Sequence, residues 1–193
     1  MRFSISNMTH AFLGVTSKPL LLLINNWEVC AMSYRCKHFD IKELVTPQMY
    51  SDWGDRCWTL FDDRLLRLID TLREQLGSCT INDWSWGGKF KNSGLRDQHF
   101  YGSTDKYLAS RSQHKYGRAV DMKFKQVSAQ AARKYIIEHQ ALLADIKFVE
   151  CGPLKQGQEM SWVHIDVRNE LQLCCWSPSE GVIDQAEVVR RHL

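Results

Sequence analysis

A histidine and an aspartate with a glycine between them mark the stretch RSQHKYGRAVDMKF, residues 111–124. His114 and Asp121 carry an imidazole and a carboxylate, and both groups are zinc ligands in proteins. Gly117 lies between them and tolerates tight turns, so the chain can fold back and point both side chains at one ion. Taken alone, the same spacing would also suit an ordinary hydrogen-bonded pair.

A third ligand is offered by the stretch SWVHIDVRN, residues 161–169. Aliphatic residues alternate there with polar and aromatic ones, a period of two that indicates a strand with one packed face. His164 and Asp166 then share the other face. A catalytic zinc takes three protein ligands and keeps a fourth position for water. The two stretches together therefore favour a zinc site that includes His114, Asp121 and a histidine from this strand.

The elements that would position these residues indicate an α+β domain. Leucine and isoleucine recur at helical spacing over residues 65–76, with Gly77 at the end, which predicts a helix. Ser128 is expected to cap a second helix that runs to about Leu143. Four strands are expected, over residues 79–86, 119–124, 146–151 and 161–168. The Gly- and Ser-rich residues 87–105 indicate a long loop.

Length and composition are those of one globular domain. The chain has 193 residues, of which 44% are hydrophobic and 24% charged, and this excludes a disordered protein. The net charge of +3 is too small to indicate a nucleic-acid partner. We predict an N-terminal extension at residues 1–31, a domain at 32–176, and a polar C-terminal tail at 177–193 that is either a terminal helix or a loose end.

The cysteines and the N-terminus bear on where the chain is made. Seven cysteines form no CxxC pair and their number is odd, which argues against a disulfide framework and favours reduced thiols made in a cytoplasm. The apolar run at residues 20–24 is far shorter than the ~20 residues of a membrane span. Because its flanks are also polar, no signal peptide is expected.

Residues 112–121, SQHKYGRAVD, resemble the SxHxxGxAxD signature of the zinc D-alanyl-D-alanine carboxypeptidases and dipeptidases. WVHIDVR resembles the strand that brings the second histidine in phage and bacterial members of this lysostaphin, carboxypeptidase and hedgehog group. The resemblance covers about residues 38–176 and includes every fixed position of the first signature. It implies a single α+β domain whose small antiparallel sheet, flanked by helices, carries one Zn²⁺ on His114, Asp121 and His164, with Ser112 and Gly117 shaping the loop.

The resemblance also implies an arginine, upstream of the first ligand, that holds a substrate carboxylate. Arg96 in SGLRD is the better match for this residue, and Arg111 is the weaker one. An arginine suits the task because its planar guanidinium can bind a carboxylate through two parallel hydrogen bonds.

The sequence departs from the resemblance at the catalytic base. Many members carry Glu or Asp three residues before the second histidine, where this chain has Ser161. A serine cannot take a proton from zinc-bound water at neutral pH. Asp166 is favoured as the base by its position on the strand, and Glu159 is favoured by its chemistry. Both remain candidates for the general base. Glu150 is the next candidate.

The expected function is zinc-dependent hydrolysis of peptide bonds in bacterial peptidoglycan stem peptides, as a carboxypeptidase or an endopeptidase. A monomeric, phage endolysin-like enzyme is expected, made in the host cytoplasm and acting on the cell wall after release. Two alternatives remain. The chain could be a cell-wall-binding module that has lost hydrolysis, which Ser161 favours. It could also be a phage structural protein in which His114 and Asp121 are only a hydrogen-bonded pair.

Overall fold

The computed structural model describes residues 33–152 and 159–193. These residues belong to one compact unit, Ser33–Leu193. The predicted extension at residues 1–31 lies outside the described residues. Among the helices that are described, none combines the length and the apolar character needed to cross a membrane.

The described residues form several short helices and a single sheet. The α-helices are α1 Pro47–Trp53, α2 Asp63–Leu76, α3 Gln98–Tyr101, α4 Thr104–Ala109, α5 Ala129–Glu138 and α6 Gln185–Arg191. Short 3-10 helices lie at Ile41–Glu43, Gly54–Leu60, Trp84–Trp86 and Gln113–Tyr116. Helix α2 forms where the leucine stripe predicts it. Its first turn is capped by the Asp62 side chain, and Gly77 follows it with φ +88°.

The sheet has six strands, β1 Cys79–Thr80, β2 Ala119–Phe124, β3 Phe148–Glu150, β4 Val163–Asp166, β5 Cys174–Ser177 and β6 Gly181–Ile183. Their order is β1-β2-β4-β3-β5-β6. All neighbours are antiparallel except β3 and β5, which run parallel. The α+β class is confirmed, but the prediction of a small antiparallel sheet is wrong, because the sheet is larger and mixed.

One face of the sheet packs into the hydrophobic core. Val120, Ile165, Val149 and Cys175 lie side by side across β2, β4, β3 and β5, and all four are buried. They belong to the same core cluster as the buried leucines of α2. Since side chains alternate along a strand, the neighbours of these four residues must point to the other face. That other face is where the predicted ligands of β2 and β4 lie.

Several local predictions need correction. The first strand is only two residues long, and Trp84–Trp86, placed on that strand, forms a 3-10 helix. The predicted loop at 87–105 contains α3 and the start of α4. Helix α5 begins after Ser128, as predicted, but ends at Glu138.

The structure also shows how the C-terminal residues fold and in which form the cysteines are present. Residues 177–193 supply β6 and α6, so the segment predicted as a tail adds a strand and a helix to the fold. Within the described residues, Cys36, Cys57, Cys79, Cys151, Cys174 and Cys175 are free thiols.

Candidate metal centre

A row of four side chains crosses the open face of the sheet. Asp121 on β2 is paired with His164 on β4. Val149 on β3 is paired with Ile165, so Glu150 comes next to His164, and Glu150 is itself paired with Trp176 on β5. Directly opposed residues point to the same side of a sheet. The pairing therefore collects two carboxylates, an imidazole and an indole on one surface.

His114 reaches this row from outside the sheet. It lies in the 3-10 helix Gln113–Tyr116, just before β2, and Gly117 ends that helix with φ +65°. A Cβ on Gly117 would lie 2.0 Å from the carbonyl oxygen of Leu60, so only glycine fits the turn. The turn brings the buried His114 ring beside the strand, as the sequence predicted.

Three ligand atoms converge at this point. His114 Nε2 is 3.2 Å from His164 Nδ1 and 3.3 Å from Asp121 Oδ1, and the last two atoms are 2.9 Å apart. All three lie within 4.8 Å of one another. The structure thus brings together the three residues predicted as metal ligands, and this group could hold a metal ion.

The contact made by the second ring nitrogen of His114, Nδ1, determines which of the two nitrogens can bind a metal. Nδ1 is 2.7 Å from the carbonyl oxygen of Gly94, which can only accept a hydrogen bond. Nδ1 must therefore carry the proton, which leaves the Nε2 lone pair for an ion. Burial lowers the pKa of His114 and outweighs the opposing hydrogen bond with Asp121. The ring is therefore neutral in the form that a metal requires.

Asp121 is held in its ionised form. Burial acts to raise its pKa, but the contacts with His114 and His164 outweigh burial and bring the pKa well below its usual range. Its second oxygen, Oδ2, accepts a hydrogen bond of 2.8 Å from Arg96 Nη2. Arg96 therefore orients the carboxylate and leaves Oδ1 directed toward the two histidines.

His164 is oriented from its far side by Asp166. The Nε2 atom lies 3.6 Å from Asp166 Oδ2, and the fully buried Asp166 accepts from Arg168 Nε at 2.8 Å. Burial acts to lower the pKa of His164, but the bonds to Asp121 and Asp166 outweigh it and raise the pKa to about 9. Without a metal, His164 is consequently protonated at neutral pH.

The three carboxylates considered as the base occupy different places. Asp166 contacts Nε2 of His164, whereas the converging ligand atom is Nδ1, so Asp166 lies on the other side of the ring. Glu159 is exposed and accepts a hydrogen bond of 3.1 Å from Gln130 on α5. Glu150 belongs to the row beside His164, and burial raises its pKa.

The remaining predicted residues also have definite places. Ser161 is exposed, and so is Arg111, whose carbonyl accepts from the Gln113 side chain. Arg96 also donates through Nε to the carbonyl of Asn92 at 2.8 Å. Its guanidinium carbon lies 4.6 Å from the centre of the Phe100 ring. Arg96 is thus fixed next to a ligand, and Arg111 is a surface residue.

Two arginines that were not predicted as site residues support the site. Arg168 follows Asp166 by two positions on a predicted strand, so strand alternation puts both on one face and their pairing could have been expected. Arg133 on α5 is fully buried, and its guanidinium donates to the carbonyls of Glu150 at 3.0 Å, Met160 at 3.3 Å and Trp162 at 2.7 Å. It ties the end of β3 to the start of β4, and no sequence pattern signals that contact.

Sequence reasoning also missed a cleft of about 290 Å³ that opens beside Asp121 and Arg96. Its walls include Phe90, Lys123 and Trp162. Burial lowers the pKa of Lys123 to about 8, so its ammonium form still prevails at neutral pH. The candidate metal centre is therefore reached from a cleft with a cationic wall.

No protein-family model, curated protein or solved structure matches the chain.

Proposed function

We propose that the protein is a zinc-dependent hydrolase that cleaves peptide bonds in bacterial peptidoglycan stem peptides. The main support is the convergence of His114 Nε2, Asp121 Oδ1 and His164 Nδ1 within 4.8 Å. The resemblance of both ligand stretches to zinc D-alanyl-D-alanine peptidases supports the substrate class. The bond that is cleaved depends on how the stem peptide lies in the cleft, so a carboxypeptidase and an endopeptidase are both compatible with the proposal.

The three side chains suit zinc better than the other common metals. Two imidazoles and one carboxylate make a nitrogen-rich set, whereas magnesium and calcium prefer oxygen ligands. A set of three leaves room for water, which is the arrangement of catalytic zinc sites. When bound, zinc lowers the pKa of its water toward ~7 and polarises the scissile carbonyl. The protein contributes a neutral His114 and an ionised Asp121 to hold the ion.

Glu150 is the proposed general base. It lies on the open face in the same row as His164, and burial raises its pKa above its usual value. A raised pKa makes a carboxylate a stronger base. It would accept the proton of the attacking water and return it to the leaving amine. Asp166 is then a positioning residue for His164. Glu159, paired with Gln130 near α5, takes no part in proton transfer.

Arg96 is the proposed contact for a substrate carboxylate. Two of its donors are used internally, by Asn92 and Asp121, and Nη1 makes no hydrogen bond within residues 33–152 and 159–193. Its side chain is 20% exposed and borders the cleft. A carboxylate that binds at Nη1 would be held close to the metal centre, where the chain end of a stem peptide is required for carboxypeptidase chemistry.

A binding module without hydrolysis is the second candidate. It is favoured by Ser161, because relatives implied by the resemblance carry a carboxylate at that position. In that case the metal and the cleft would still hold stem peptides, but no general base would accept the proton of the attacking water. The hydrolase would fit the role of a phage endolysin. Such a protein is made in the cytoplasm, is released to the cell wall and acts there as a monomer.

The experiment combines metal analysis with digestion. Purified protein is expected to hold about one zinc per chain and to release defined products from muropeptides, detected by mass spectrometry and abolished by a chelator. His114→Ala and His164→Ala should lose the metal, whereas His139→Ala, which alters an exposed ring at the C-terminal end of α5, should keep it. Zinc with bound but uncleaved muropeptides would support the binding module. Absence of any metal would support the structural protein.

A further inference from the structure

The cleft beside the metal centre is strongly basic. Among the described residues, four of those that line it are cations, namely Lys89, Lys91, Arg96 and Lys123, and only Asp121 is acidic. Asp121 accepts a hydrogen bond from Arg96, which balances its negative charge. A metal ion bound to Asp121 would balance that charge further. The cleft as a whole therefore offers an excess of positive charge to whatever enters it.

Two of the four cations have partners inside the protein. Arg96 donates to Asp121, and Lys123 Nζ donates to Ile81 O at 3.0 Å, Ser93 Oγ at 2.7 Å and Asp121 O at 3.2 Å. Lys89 and Lys91 are exposed, and within the described part of the chain their ammonium groups have neither an ion pair nor a hydrogen bond. These two lysines are therefore free to bind a ligand.

The loop that carries the free lysines is tied down. Phe90, which lies between them, donates its N–H to Asp83 Oδ1 at 2.7 Å, and its carbonyl accepts from Asp83 N at 3.0 Å. A Cβ on Gly88 would lie 2.0 Å from the Asp83 carboxyl carbon, so the loop closes tightly on that side chain. The backbone that bears the two ammonium groups is therefore held at a fixed place along the cleft.

Flat apolar surface lies next to these charges. The Phe90 ring is 45% exposed, and Trp162 forms part of the lining just before β4. The Trp162 carbonyl is held by the buried Arg133, so this wall is fixed as well. An extended peptide with an acidic group could pack on the rings and place the acid between the lysines.

We propose that Lys89 and Lys91 form an anion subsite that selects acidic peptides, through a carboxylate other than the one held near Arg96. The inference rests on the proposed function and deepens it, because it names the substrate class as stem peptides whose side carboxylates are free. Amidated stem peptides lack that charge. Exposed ion pairs are individually weak, so about threefold in affinity is expected from each lysine and about tenfold from both.

The test compares two synthetic stem peptides that differ only in whether their side carboxylates are free or amidated. Binding is measured by fluorescence anisotropy with zinc-loaded protein, and cleavage is measured as kcat/KM. The wild type should prefer the free acid about tenfold at low salt, and the preference should shrink as salt screens the charges. In Lys89→Gln/Lys91→Gln the ratio should fall to about one without loss of zinc.

A matched control removes the same net charge elsewhere. Lys106→Gln/Lys134→Gln alters two exposed lysines on α4 and α5 and should keep the wild-type ratio. Equal binding of both peptides by the wild type, binding of neither, or a preference that survives in Lys89→Gln/Lys91→Gln would overturn the subsite. A binding preference that depends on Lys89 and Lys91, with no cleavage of either peptide, would support the subsite and contradict the hydrolase. Equal cleavage of both peptides would support the hydrolase and contradict the subsite.

Discussion

Asp121 and His164 face each other across strands β2 and β4, with Oδ1 of the carboxylate 2.9 Å from Nδ1 of the imidazole. The contact depends on strand register, because a slip of one residue would turn one of the two side chains into the core. The buried partners Val120 and Ile165 lock that register from the opposite face. The geometry of the candidate metal centre is thus set by the packing of the core.

Zinc affinity should rise with pH up to about 9. The pKa of His164 is raised to about 9 in the metal-free protein, so below that value zinc must displace a proton from the ring. Between roughly pH 7 and 9, the apparent affinity should increase about tenfold per pH unit, and it should level off above that range. Competition with a chromophoric chelator would measure it. An affinity that does not change over this range would contradict the raised pKa.

Asp166→Asn should weaken zinc binding by about 10–100-fold, the usual effect of losing an outer-shell carboxylate. The carboxylate contacts Nε2 of His164 and is itself held by Arg168, so its loss releases the ring orientation. Metal titration gives the affinity, and activity at saturating zinc should largely return. Unchanged zinc affinity with abolished activity would instead identify Asp166 as the base.

Glu150→Gln should keep the fold and the zinc but lower kcat by a factor of about 10²–10⁴, the range for a general base. The substitution preserves shape and removes the proton acceptor beside His164. Glu159→Gln is the matched control and should stay near wild type, because that side chain pairs with Gln130. Muropeptide turnover at saturating zinc is the measurement. The assignment fails if Glu150→Gln retains full turnover.

Gly117→Ala should destabilise the protein by about 3–5 kcal/mol, among the larger effects of single substitutions. The added Cβ would meet the Leu60 carbonyl oxygen at 2.0 Å, at a φ of +65° that alanine resists. Gly87→Ala is the control, since φ there is +85° but no atom lies within 4 Å. It should cost only about 1–2 kcal/mol, the penalty for left-handed backbone alone. Urea denaturation followed by circular dichroism compares the two.

The parts of the fold that the sequence predicted are those with a strong local period. The leucine stripe of α2 and the alternation in β4 each bury one face, so the pattern itself reports the structure. Helices α3 and α4 were missed because they have only four and six residues, too few for a period to show. Their capping side chains, Asp97 and Ser103, were the available signal.

The candidate site was predictable to a similar extent. Residue types and spacing identified His114, Asp121 and His164, and the structure brings these three together. Apart from the pairing of Asp166 with Arg168 along one strand, their outer contacts could not be derived, because alternation tells which face a residue takes but not which strand lies beside it. The parallel pairing of β3 with β5, which puts Glu150 between His164 and Trp176, has no local sequence signature.

The buried Arg133 makes the placement of two strands depend on one side chain. Its guanidinium holds the carbonyl of Glu150 on one side and those of Met160 and Trp162 on the other, so it joins the end of β3 to the start of β4. A substitution that removes the guanidinium would leave these three carbonyl oxygens without their donor. A single residue on α5 therefore couples the position of the proposed base, Glu150, to that of the strand that carries His164.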